Sequence, residues 1–187
     1  FAMEGEKFAS GTAHADNVAP ALIGGFTVVK SYEPLDVISV PLKAKLFCTI
    51  VHPQVELKTS LSRNILKQEI SLKAAVKQSG NIAGLILGLT QGDYDLIARS
   101  LNDDIIEPQR GSLIPLFYKA KQAAIAAGAL GSGISGSGPS LFALSRSMED
   151  AEKVKLAFEA VYKGTGINVH AFTSKVATQG AHTLAKP

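Results

Sequence analysis

The stretch "GSGISGSGPSLFAL", Gly131 to Leu144, is the part of this sequence whose residue types most directly suggest chemistry. Its first eight residues hold four glycines and three serines, more small residues than a simple turn requires. Gly131, Gly133 and Gly136 fit the spacing G-x-G-x-x-G, but that fingerprint belongs after a strand and at the start of a helix. Here a helical pattern precedes it, and Pro139 and a strand-like run follow. A dinucleotide fold is therefore rejected. Two readings remain: a plain hairpin loop, or a loop of Gly133, Ser135, Gly136, Ser137 and Gly138 whose backbone N–H groups approach an anion closely because no Cβ blocks them.

A second group is "HADN", His14 to Asn17, which stands directly before an apolar stretch. Asp16 or Asn17 could cap the helix that follows, and His14 could be a surface imidazole. Cap and site are compatible, since a helix N-terminus also favours anions. Two arginines form the third group. Arg63 lies in "TSLSRNIL", a helical pattern where it could simply face solvent. Arg110 follows Pro108 in "IIEPQRGSLIP", a loop bounded by apolar residues. A guanidinium there offers a planar fork of donors suited to a carboxylate or phosphate.

These groups need elements to hold them. "AMEGEKFASG" and Ala13–Ile23 read as short helices, the second broken by Gly24-Gly25. "FTVVKSY" and "LDVISVPL" read as a hairpin, and "KAKLFCTIV" as a buried strand. Thr59–Gln78 reads as a helix with Leu61, Ile65, Leu66, Ile70, Leu72 and Val76 on one face. Further helices are expected over Ile82–Thr90, Tyr94–Leu101 and Leu113–Ala127. "ALGSGIS" and "SLFALS" read as strands around the glycine loop, Ser147 opens a helix with an acidic first turn, and "INVHAFTS" closes as a strand. From residue 44 the order is strand, helices, strand, strand, helix, strand. That is an α+β class with a split β-α-β arrangement: an antiparallel sheet with helices on one face.

Composition excludes several classes. The 187 residues are 46% hydrophobic and 19% charged, which suits a globular chain. The net charge is only +3 and the lysines are scattered, so no nucleic-acid surface is expected. No apolar run approaches the ~18 residues of a membrane helix, and no signal peptide is visible. The single cysteine, Cys48, reads as a small core residue and fits a reducing cytoplasm.

Taken together, "HADNVAPALIGGF", "GSGISGSGPSLFAL", the segments around Arg63 and Arg110, and "TQGAHTL" resemble the homoserine kinases of the GHMP superfamily, in the expected order along the whole chain. That resemblance implies transfer of the γ-phosphoryl group of ATP to the side-chain hydroxyl of L-homoserine, on the route to threonine. It further implies that Arg63 and Arg110 hold the substrate carboxylate and that His14, Asp16 and Asn17 line the homoserine pocket. Glu6 would be the magnesium-linked carboxylate, and the Gly133–Gly138 loop would lie near the transferring phosphate. Asp16, the one carboxylate inside the "HADN" signature, reads as a substrate ligand rather than a base. The superfamily's first signature, a Pro-x-x-x-Gly-Leu-Gly-Ser-Ser-like phosphate loop, is not in the sequence. The chain is therefore expected to be the C-terminal portion of such a kinase, with residues 1–43 trailing from the N-terminal domain and 44–187 forming the C-terminal domain. It is expected to lack activity without the N-terminal half, and a homodimer is possible. The alternatives are another GHMP kinase acting on a mevalonate-like alcohol, or a non-catalytic α+β binding or dimerisation module.

Overall fold

Four strands form one antiparallel sheet, and the chain's chemistry-bearing loop joins two of them. The computed structural model describes residues 1–11, 13–57 and 65–184. Helices α1 (Ala2–Ser10) and α2 (Ala15–Ile23) come first. The hairpin of β1 (Phe26–Tyr32) and β2 (Leu35–Val40) follows. Next are β3 (Phe47–Pro53), α3 (Leu72–Gln91), α4 (Tyr94–Ser100), a short turn α5 (Glu107–Arg110) and α6 (Phe117–Ala126). The chain closes with β4 (Gly131–Ile134), β5 (Leu141–Ser145), α7 (Met148–Tyr162) and β6 (Val169–Lys175).

The four-stranded sheet has the order β4-β5-β3-β6, every neighbour antiparallel. Strand alternation gives it two faces. Val51, Leu141 and Ala143 point to one face and pack with Phe117, Ala120, Ala124, Val154, Phe158 and Tyr162 of α6 and α7. Thr49, on the same face, donates to the Ala151 carbonyl of α7 at 3.0 Å, so this buried hydroxyl is satisfied. The Tyr162 hydroxyl donates to the Pro115 carbonyl at 3.0 Å, tying the end of α7 to the segment before α6. Cys48, Phe142 and Leu144 point the other way. They meet Leu46, Leu85, Leu89, Ile97 and Leu101, and the hairpin reaches the same cluster through Val28 and Val40. Cys48 is thus a core residue, and burial pushes its thiol up to about 11. A thiolate nucleophile is ruled out there at neutral pH.

The α+β class and the split β-α-β order are as the sequence predicts. Helix boundaries differ. Of the helix expected over Thr59–Gln78, residues 59–64 lie outside the described residues, and 65–71 are irregular. The helix begins only at Leu72, where the Ser71 hydroxyl accepts the Ala74 N–H at 3.2 Å. It then runs unbroken to Gln91, absorbing the separate helix expected over Ile82–Thr90. The apolar stripe assigned to its early turns is not buried: Leu72 is 81% and Val76 64% exposed. The buried contact lies later, where α4 packs so closely that a Cβ on Gly88 would stand 2.8 Å from Ile97. The helix expected from Leu113 starts at Phe117 instead. A 3-10 turn covers Gly111–Leu113, and Leu116 takes a left-handed φ of 60°, which interrupts any continuous helix.

Candidate functional site

The glycine loop is a tight connection between two antiparallel strands. The Ser135 N–H donates to the Ser140 carbonyl at 2.8 Å and the Gly138 N–H to the Ser135 carbonyl at 3.1 Å. Among the described residues, the N–H groups of Gly136 and Ser137 at its crest have no intrachain acceptor. Gly136 has φ 61° and Gly138 φ 82°, both left-handed, where a side chain is strained. Their surroundings differ. A Cβ on Gly138 would stand 2.8 Å from Ile114, whereas one on Gly136 would meet nothing within 4 Å. Within the chain the need for glycine at Gly136 is conformational, and steric crowding belongs to Gly138.

A stability difference follows. Gly138→Ala combines strain with a clash against the core residue Ile114 and is expected to cost roughly 2–4 kcal/mol. Gly136→Ala bears strain alone, about 1–2 kcal/mol. Equal denaturant midpoints for the two variants would contradict this geometry.

Arg110 ends α5 and reaches the loop, its Nη1 lying 3.5 Å from the Gly136 carbonyl. The structure thus brings together two of the groups the sequence singles out. The α5 turn is firmly held. Asp103 accepts from the N–H groups of Ile105, Ile106 and Glu107 at 2.8 to 3.1 Å. Gln109 donates to the Ile105 carbonyl at 2.6 Å and accepts the Lys67 N–H at 2.7 Å, which ties Lys67 to this turn. Arg63 lies outside the described residues.

Glu6 lies on α1, His14 caps α2, and Asp16 and Asn17 lie in its first turn, the two helices packing on each other. His14, not Asp16 or Asn17, is the N-cap residue of α2, with extended backbone and no side-chain cap bond. The capping expected of Asp16 or Asn17 is therefore overturned: both lie in the first helical turn, exposed, where Asp16 favours the positive end of the helix dipole. Glu6 and His14 are half-buried. The C-terminal stretch anchors this corner. Gly25 donates to the Ala177 carbonyl, and Gly180 and Ala181 donate to the Ile23 and Ala21 carbonyls at 3.1 and 3.0 Å.

Sequence reasoning missed Glu107, Lys121, His52 and Ser140. Glu107 is 8% exposed and pairs with Lys121 of α6 at 2.5 Å. Burial raises the proton affinity of its carboxyl, and Lys121 opposes that shift. His52, next to last in β3, shares a 2.7 Å hydrogen bond with Ser140 at the base of the loop. Below the loop lies a cavity of about 220 Å³, lined by Asn81, Ser100, Asp103, Glu107, Ser132 and Phe142 among others. Neither residue carries a signal in the sequence: burial marks the glutamate, and only the sheet register brings the histidine to the loop.

Residues 85–164 match the family described as GHMP kinases C terminal. A homoserine kinase of Chlorobium phaeobacteroides is 50% identical over 186 residues, 98% of this chain and 58% of that protein. Over residues 85–164 the chain carries a domain matching the C-terminal domain of the GHMP kinases. A homoserine kinase of Pyrococcus furiosus is 39% identical across 94% of the chain and 58% of its own length. The chain thus spans a little under three-fifths of the length of the curated relatives it matches. The crystal structure of homoserine kinase from Cytophaga hutchinsonii superposes with a TM-score of 0.92 at 52% identity, covering 95% of this chain and 56% of that one. The L. major mevalonate kinase structure shares the fold, with a TM-score of 0.60 at 15% identity. No helix among the described residues is long and apolar enough to cross a membrane.

Proposed function

We propose that this chain supplies the C-terminal part of a homoserine kinase, transferring the γ-phosphoryl group of ATP to L-homoserine to give O-phospho-L-homoserine. The observation that carries the reading is the approach of Arg110 to the glycine loop. It puts a guanidinium, suited to a carboxylate, beside a small-residue loop whose crest N–H groups are available to an anion. The identity of about 50% to homoserine kinases across nearly the whole chain supports the same substrate.

Phosphoryl transfer passes through a loose transition state, so positioning and charge stabilisation carry most of the catalysis. In this reading Arg110, with Arg63, binds the homoserine carboxylate and so fixes the direction of its hydroxyl. His14, Asp16 and Asn17 surround the remainder of the amino acid, and the Gly133–Gly138 loop faces the transferred group. Magnesium, when bound, would neutralise phosphate charge. Glu6 offers it one hard oxygen donor, in keeping with an ion that takes one or two carboxylates plus phosphates and water. No cluster of three metal-ligating side chains occurs among the described residues, which fits a nucleotide-borne ion better than a protein cage. Residues 1–43 belong in this account to the N-terminal domain and 44–187 to the C-terminal domain, and the phosphate loop for ATP is contributed by the rest of the kinase.

The test is a set of acceptors offered, with ATP and magnesium, to the chain completed to the length of its relatives. L-homoserine should be phosphorylated with far higher kcat/KM than 3-aminopropan-1-ol, which keeps the amine and hydroxyl but lacks the carboxylate, and than mevalonate, a hydroxy acid without the amine. A preference for mevalonate would move the assignment to another branch of the family. Equal use of homoserine and aminopropanol would remove the carboxylate clamp.

A further inference from the structure

Glu107 and Lys121 lie outside every role assigned above, yet Glu107 is a buried carboxylate three residues from Arg110. Its Oε1 accepts from the Lys121 Nζ at 2.5 Å, and the two side chains are only 11% and 20% exposed. Its Oε2 lies 3.5 Å from the position a Cβ would take on Gly133, so the carboxylate packs directly on the backbone of β4 at the foot of the glycine loop. Gly133 in turn stands opposite Phe142 in the β4–β5 ladder. The ion pair therefore meets three elements at one point: the α5 turn that ends in Arg110, helix α6, and the strand that leads into the loop.

A pair so buried is weak as a stability device. Desolvation of both charges offsets most of their attraction, and apolar residues of similar volume often stabilise as well or better. What apolar packing does not supply is a fixed direction and distance, since it is non-directional, whereas a short charge-assisted bond sets both. We infer that Glu107 and Lys121 are a positioning pair, which locks the α5 turn onto the foot of the glycine loop so that Arg110 and the loop keep one relative geometry. The inference rests on the reading of Arg110 as the clamp for the substrate carboxylate. Small displacements of such a group are costly, because a shift of about 1 Å can lower a rate by roughly a hundredfold.

The experiment uses the chain completed to the length of its relatives. Glu107→Met with Lys121→Met removes both charges at once and leaves neither stranded. Glu107→Gln keeps an acceptor for Lys121 at nearly constant volume, and decides by the same readouts where the double variant does not fold. Three quantities are read: KM for homoserine and for ATP, backbone amide exchange across residues 131–140 without substrate, and the melting temperature. The double variant is expected to melt near the parent, to raise KM for homoserine by about tenfold or more, to leave KM for ATP unchanged, and to exchange faster across the loop. Lys121→Arg, which keeps the charge, should hold most of the homoserine affinity that Lys121→Met loses. A folded double variant with parental homoserine KM and parental loop exchange would overturn the inference. With Arg110→Ala run beside it, the two readings separate. Faster exchange with no change of KM in any variant supports the positioning pair and sinks the clamp. A raised KM in Arg110→Ala alone does the reverse.

Discussion

Arg110→Ala, in the chain completed to the length of its relatives, is expected to lower kcat/KM for homoserine by about 10- to 150-fold. Charge-assisted hydrogen bonds to a carboxylate contribute roughly 1.5–3 kcal/mol, and each 1.36 kcal/mol is tenfold in rate. Arg110→Lys should recover only part, because an ammonium cannot form the planar two-bond contact. The KM for ATP should hold. Were Arg110 merely a half-buried loop residue touching the Gly136 carbonyl, the alanine variant would shift stability by a few tenths of a kcal/mol and leave kinetics alone. Steady-state kinetics varying homoserine and ATP separately tells these apart. The same expectation applies to Arg63.

Phe158→Ala is expected to destabilise the domain by about 3–5 kcal/mol. Phe158 is fully buried on α7, in the cluster that joins that helix to β3, β5 and α6. The loss should appear as a lower denaturant midpoint with an unchanged slope. The homoserine KM of the folded fraction should stay at the parental value, since Phe158 packs on the sheet face opposite Phe142 and does not line the cavity. A cost below about 1 kcal/mol would contradict the packing of α7 on the sheet.

Elements whose signals are local were legible in the sequence. The β1–β2 hairpin, β3, and the Ser147-capped helix α7 follow from alternation, an apolar run and an N-cap, and each stands where these signals put it. The start of α3 was not legible. Ile65 to Val76 keep helical spacing, but residues 65–71 are irregular and Leu72 and Val76 are exposed, so over these residues periodicity overstated the helix. Leu116 shows the same limit in miniature: no propensity scale places a leucine in left-handed conformation.

Within the candidate site, residue types and order marked Arg110 and the glycine loop, and the fold sets them 3.5 Å apart. Glu107 was passed over because a glutamate in a Pro-containing loop looks solvated; only its burial against Gly133 and Lys121 reveals otherwise. The bond from His52 to Ser140 spans 88 positions and exists only through the pairing of β3 with β5. The residue types of Asp16 and Asn17 allow a cap, whereas the backbone places the cap at His14.

The most direct measurement is phosphorus NMR of the product formed from ATP, magnesium and L-homoserine by the chain completed to the length of its relatives, with the 187-residue chain alone in parallel. The account predicts a phosphomonoester resonance coupled to the side-chain methylene of homoserine, appearing with ADP in equal amount for the completed protein and absent for the 187-residue chain alone. ADP without that ester, or phosphorylation of another acceptor while homoserine is left untouched, would contradict the assignment.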